Sequence, residues 1–97
     1  MKFFIRLTES AIEDLDFFGK SKRRIISDGI ALFLTYDANV ETRRRKPLRP
    51  NRIAPWELRI EDHRVFYDFE GDDIVKVVAV GHKEHNDLYI RGKKVEL

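Results

Sequence analysis

Arg59, Arg64, His82, Lys83, His85 and Tyr89 are the side chains of this chain best suited to chemistry, and all fall within one stretch, 59–89. Cations stabilise the charge that builds on a phosphorane-like transition state. A histidine, tyrosine or carboxylate moves protons, and an aromatic ring stacks a base. Together they suffice for metal-free RNA cleavage, in which a ribose 2′-hydroxyl attacks its own phosphate. DNA lacks that hydroxyl and is not cut this way. His82 and His85 with Asp87 offer zinc ligands, but their spacing on a non-helical segment, with no second cluster, is a poor match to a zinc site. There is no cysteine, no glycine-rich phosphate loop and no serine in a nucleophile elbow. Neither a metal nor a cofactor is expected.

A hairpin must position two of these cations. Trp56, Leu58 and Ile60 alternate with Glu57 and Arg59, and Val65, Tyr67 and Phe69 alternate with Arg64, Phe66 and Asp68. With a two- or four-residue loop, Leu58 faces Val65 on the apolar side and Arg59 faces Arg64 on the other. Like charges opposite one another on a sheet repel. Either both guanidiniums splay into water or pair with Glu57 and Asp68, or an anion sits between them. Arginine's planar fork suits phosphate oxygens, so the pair reads as a phosphate cradle.

Just upstream, residues 43–52 hold six basic side chains, Arg43, Arg44, Arg45, Lys46, Arg49 and Arg52, with no acidic one and two prolines that exclude helix. This reads as a loop, and its charge, feeding into the Arg59 strand, as a nucleic-acid path. A merely solvated loop is the plainer alternative.

The remaining elements follow from periodicity. Lys2 to Leu7 forms a short strand. Thr8 or Ser10 caps a helix with Ala11, Ile12, Leu15 and Phe18 on its buried face and Glu9, Glu13, Asp14 and Asp16 outside. Gly19-Lys20-Ser21 ends it and begins a second helix to about Tyr36, with Ile26, Ile30, Phe33 and Leu34 inward. Its basic first turn, Lys20, Lys22, Arg23 and Arg24, opposes the helix dipole. Ile74 to Val80 reads as a central strand, 82–87 as a polar connection, and Leu88 to Ile90 as a further strand. The tail to Leu97 is expected to add an edge. The fold class is therefore α+β: an N-terminal strand, a two-helix hairpin, then a 3-4 stranded antiparallel sheet with helices on one face. Ninety-seven residues suit a single domain, 1–97, and the net charge of +2 is modest. The start Phe3-Phe4-Ile5 is too short for a signal peptide or membrane span, so the cytoplasm is expected and no membrane partner.

Pro55-Trp56-Glu57-Leu58-Arg59-Ile60, His63-Arg64-Val65-Phe66-Tyr67, and Val80-Gly81-His82-Lys83 followed by Tyr89 resemble the RelE/ParE superfamily of toxins from type II toxin–antitoxin systems. The resemblance extends over nearly the whole chain. On its RelE branch it implies a ribosome-dependent, metal-independent messenger-RNA endonuclease. On its ParE branch it implies a non-catalytic inhibitor of DNA gyrase, and a silent member would act only as a repressor with its antitoxin. The partners implied are a cognate antitoxin, the ribosome and mRNA, with operator DNA bound only by the toxin–antitoxin complex. Arg64 matches the arginine at the scissile phosphate, Lys83 stands where RelE has a second arginine, and Tyr89 matches the substrate-orienting tyrosine. Arg59 matches a basic residue on the preceding strand. RelE has two lysines just before the hairpin where this chain has Pro55 and Glu57. The missing charge is then supplied by residues 43–52, or Glu57 serves as a base, as carboxylates do in some relatives. His82 and His85 are further candidates for proton transfer.

Overall fold

The computed structural model describes all 97 residues. Its elements are β1 (Phe4–Leu7), α1 (Glu9–Phe17), α2 (Lys20–Leu34), β2 (Arg45–Pro47), β3 (Trp56–Ile60), β4 (His63–Glu70), β5 (Ile74–Glu84), β6 (Asp87–Ile90) and β7 (Lys93–Val95). Thr8, not Ser10, caps α1: its Oγ1 accepts the Ala11 N–H at 3.1 Å, satisfying one of the donors a helix start leaves free. The buried face of α1 is Ala11, Asp14 and Leu15, continued by Phe18. Two expectations are corrected here. Ile12 is 46 % exposed, and Asp14, placed outside by its charge, is only 1 % exposed. In α2 the inward residues are Ile26, Gly29, Ile30 and Leu34. A Cβ at Gly29 would fall 2.5 Å from Ile60 Cδ1, so the missing side chain is what lets α2 lie on β3.

The strands form one seven-stranded sheet. β2 through β7 are neighbours in chain order, all antiparallel, while β1 pairs in parallel with the first half of β5. The α+β architecture stands, with more strands than expected. β2 comes from the basic segment read as a loop, and Pro47 is tolerated because β2 is an edge strand. β5 runs on to Glu84 rather than ending at Gly81. It turns into β6 through His85 and Asn86, both at positive φ (51° and 71°), the conformation that suits a two-residue hairpin.

Both faces of the sheet are packed. Leu58, Val65, Tyr67, Val75, Val77 and Val80 meet the helices in the larger core. On the other face, Ala54, Phe66, Ala79 and Leu88 form a second cluster, covered by Leu48, Ile53, Ile90 and Val95. The helix-free face is therefore not open along its length. Asn51 locks the covering loop: its Oδ1 accepts the Ile53 and Ala54 N–H groups at 2.8 and 3.0 Å. Its Nδ2 donates to the Arg49 and Ala54 carbonyls at 2.8 Å each.

Asp14 closes the sheet where β5 changes partner. β1 pairs with β5 as far as Val77 and β6 begins opposite His82, leaving the Val80 N–H without a strand. Asp14 Oδ2 accepts it at 3.0 Å. Asp14 Oδ1 lies 2.8 Å from Arg91 Nε, in the β6–β7 turn. Burial pushes the Asp14 carboxyl above the usual carboxylate range, against the opposing pull of the Val80 N–H and Arg91.

Candidate functional site

The β3–β4 hairpin pairs Arg59 directly with Arg64, as the alternation of apolar and charged residues requires. The two guanidiniums then part company. Arg59 is exposed, whereas Arg64 is only 8 % exposed and turned back onto the hairpin. Its Nη1 donates to the Glu61 carbonyl at 3.0 Å and the His63 carbonyl at 2.9 Å. No carboxylate lies within 4.0 Å of it. Burial lowers its pKa, Glu57 pulls the other way as the leading nearby charge, Arg59 lowers it again and Asp62 raises it. An arginine stays protonated in such a setting, so the result is a fixed, under-neutralised cation.

Three further residues share this end of the helix-free face. Glu57 lies two positions before Arg59 on β3, opposite Phe66. Gly81 stands opposite Arg64 on β5, and Lys83, two residues on, extends past the hairpin turn, where its N–H donates to the Asp62 carbonyl at 2.8 Å. The register thus places Glu57, Arg59, Arg64 and Lys83 on one face of the sheet, with Glu57 and Arg59 near enough to Arg64 to act on its charge.

It does not bring His82 or Tyr89 to them. Strand alternation turns His82 to the opposite face from Gly81 and Lys83, and Tyr89 is its cross-strand partner. The two rings stack with centroids 5.5 Å apart and planes at 20°. Phe18, at the end of α1, meets His82 and the buried His63 edge-on at 6.1 and 5.4 Å. The expectation that the arginines, histidines and Tyr89 form one patch is corrected by this division. His85 sits exposed in the β5–β6 turn. No group of three or more His, Asp or Glu side chains is placed to hold a metal ion, so His82, His85 and Asp87 do not converge.

The basic segment is divided too. Arg45 is spent on structure: its Nε donates to the Val40 carbonyl and its Nη1 to the Phe33 carbonyl, both at 2.9 Å, which satisfies an acceptor in the last turn of α2. Arg44 lies 4.5 Å over the Phe33 ring. With Arg43, Arg59 and Glu61 it lines a hollow of about 380 Å³. Lys46 and Arg49 line a separate hollow of about 420 Å³ beside Leu97, and Arg52 is exposed on the covering loop.

The model of the ParE toxin of the type II toxin–antitoxin system parDE matches residues 5–87, from β1 into the start of β6. The chain belongs to this toxin family. The matched span includes Glu57, Arg59, Arg64 and Lys83 and stops before Tyr89. A crystal structure of the toxin–antitoxin complex RelBE2 from Mycobacterium tuberculosis is similar in fold, with a TM-score of 0.70 at 21 % identity. The match covers 86 % of this chain and all of that one. A search of curated proteins finds no match. The protein is thus a type II toxin of the RelE/ParE superfamily, and no helix in it is long and apolar enough to cross a membrane.

Two residues of this toxin escape a sequence reading of the site. His63 and Asp14 are both buried. His63 could have been found by continuing the alternation two residues back from Val65. Asp14 is signalled only by its helical spacing from Ala11 and Phe18.

Proposed function

We propose that the toxin is a metal-independent endoribonuclease that cuts messenger RNA on the ribosome, in the cytoplasm, with Arg64 meeting the scissile phosphate. The observation that carries this reading is the buried Arg64 guanidinium, held by two carbonyls and lacking a carboxylate. A cation fixed before the substrate arrives needs no reorganisation as charge develops on the phosphate. Glu57 is the base. It acts on Arg64 electrostatically but stands more than 4.0 Å from it. The 2′-oxygen gives its proton to Glu57 and bonds to phosphorus, and the bond to the 5′-oxygen breaks. That oxygen leaves with a proton from Lys83, giving a 2′,3′-cyclic phosphate and a 5′-hydroxyl. Tyr89 and His82, on the other face, support β5 and β6 rather than touch the reacting atoms.

The toxin's partner in this reading is a cognate antitoxin. The groove between α1 and α2 has an apolar floor of Leu7, Ile12 and Leu15 and a rim that includes Lys20, Arg23 and Arg24. An acidic amphipathic segment fits both, and it gives the basic first turn of α2 a purpose. Operator DNA is bound only by the complex.

A second reading, inhibition of DNA gyrase without catalysis, is favoured by the name of the matching family and by the separation of Tyr89 from Arg64. Induction of the toxin in growing cells tests the two. The endonuclease reading expects protein synthesis to stop with cleaved messages. Arrested replication with intact messages would replace it with the gyrase reading.

A further inference from the structure

Arg43, Arg44 and Arg59 converge on one hollow from two directions, the segment leading into β2 and the body of β3. None of the three has a carboxylate within 4.0 Å. The Arg59 N–H donates to the Arg44 carbonyl at 2.8 Å, which fixes the spacing of the two backbones. The Arg44 guanidinium rests on the Phe33 ring, so part of the entropy of ordering it is already lost. Glu61 is the single acidic residue of the lining.

We infer that this hollow is a seat for one phosphodiester of a single RNA strand, flanking the phosphate held at Arg64. The inference rests on the endoribonuclease reading for its substrate but not for its geometry. Arg59 and Arg64 are cross-strand neighbours. Glu61, whose carbonyl holds Arg64, also lines the seat, so the two positions share one turn. Arg64 is recessed and rigid, suited to the reacting phosphate, whereas the seat is exposed and suited to a phosphate that only positions the strand. Its lining contains no apolar residue. An acidic protein segment docks through apolar anchors as well as charge, and the α1–α2 groove has them where this hollow does not. RNA phosphate is therefore the favoured occupant.

The test uses full-length toxin and a single-stranded RNA hexamer with 2′-O-methyl groups, which binds but cannot be cut. Affinity is measured by fluorescence anisotropy over a range of salt. Arg43 makes no side-chain hydrogen bond or ion pair, so Arg43→Ala is not expected to disturb the fold, and thermal melting checks this. The expected result is roughly a fivefold or greater loss of affinity for Arg43→Ala and for Arg59→Ala. The slope of log K against log salt should become shallower by about 0.7, the value for one lost contact to single-stranded nucleic acid. Arg43→Lys should restore the slope, because the charge returns. Unchanged affinity and slope in both alanine variants, or no binding by the wild type, would overturn the seat. So would a glutamate-rich peptide of equal charge that binds more tightly than the hexamer with the same dependence on Arg43, since the site would then belong to an acidic protein. A toxin that binds the hexamer through the seat yet never cuts message keeps the seat and loses the endonuclease reading. The converse result separates them the other way.

Discussion

Arg59 and Arg64 face each other across adjacent strands, and only Arg59 reaches water. Burying a cation opposite another cation costs stability in two ways: water is lost, and the neighbour repels. Two backbone carbonyls offset part of this, and no carboxylate completes the compensation. Arg64 should therefore be a residue kept for its charge at a cost to the fold. Arg64→Met, apolar and of similar length, is expected to leave stability unchanged or raise it by about 1 kcal/mol. Urea unfolding measures it. A loss of about 2 kcal/mol or more would mean that Arg64 is there to hold the hairpin.

Asp14 should behave in the opposite way. Asp14→Ala removes the acceptor of the buried Val80 N–H and the ion-pair partner of Arg91. Stability should fall by about 1–3 kcal/mol. Hydrogen exchange at Val80 should accelerate more than at Val77, whose place in the sheet does not depend on Asp14. Equal effects at both amides would show that the carboxylate does not seal this gap.

Acid should act on two carboxyls with opposite signs. Glu70 sits below its usual range because the Arg6 guanidinium donates to it at 2.8 and 2.9 Å. A lowered folded-state pKa means that this contribution is present above the unfolded value of 4.5 and is lost as pH falls through the folded one. Asp14 is raised above 3.8 by burial, so its protonation in the folded state adds stability as pH falls from its raised value toward 3.8. Glu70→Gln should flatten the acid loss seen in wild type, and Asp14→Asn should steepen it. Melting temperatures between pH 6 and pH 3 give both slopes, and no change in either variant would refute the assignment. The Arg6–Glu70 pair is exposed, so the effect should be small and should weaken with salt.

Arg45 and Arg43, close in sequence, should separate cleanly. Arg45→Ala frees the Val40 and Phe33 carbonyls and should cost about 1–2 kcal/mol, with little change in the salt dependence of RNA binding. Arg43→Ala should leave the melting temperature in place while weakening RNA binding and making its salt slope shallower. Matching behaviour of the two variants in both measurements would erase the distinction.

The parts of this fold visible in the sequence are those fixed by short-range alternation. Leu58 opposite Val65 and Arg59 opposite Arg64 follow from period two and a short turn, and the two helices from their apolar spacing. What lay hidden depends on contacts between distant segments. Nothing local says that loop 48–54 covers Phe66 and Ala79, or that Arg64 is sunk while Arg59 is not. The charge of Asp14 points to solvent, and helical spacing offers the apolar Ile12 for the face that Asp14 in fact completes. Taking Gly81 as a strand end concealed that β5 continues. That continuation sends His82 and Tyr89 to one face and Lys83 to the other. Two prolines concealed β2, because an edge strand accepts what a central strand does not.

The most direct test of the account is single-turnover cleavage of message on programmed ribosomes, comparing wild type with Arg64→Ala and Glu57→Gln after each is shown to fold. Removing one preorganised cation should cost on the order of 3 kcal/mol at the transition state, roughly a hundredfold in rate. Ground-state binding should change less, because Lys83 and the seat of Arg43, Arg44 and Arg59 remain. Glu57→Gln should slow cleavage by roughly a hundredfold or more. Cleavage by Arg64→Ala at the wild-type rate would contradict the assignment, and a wild type that never cuts message would contradict the function.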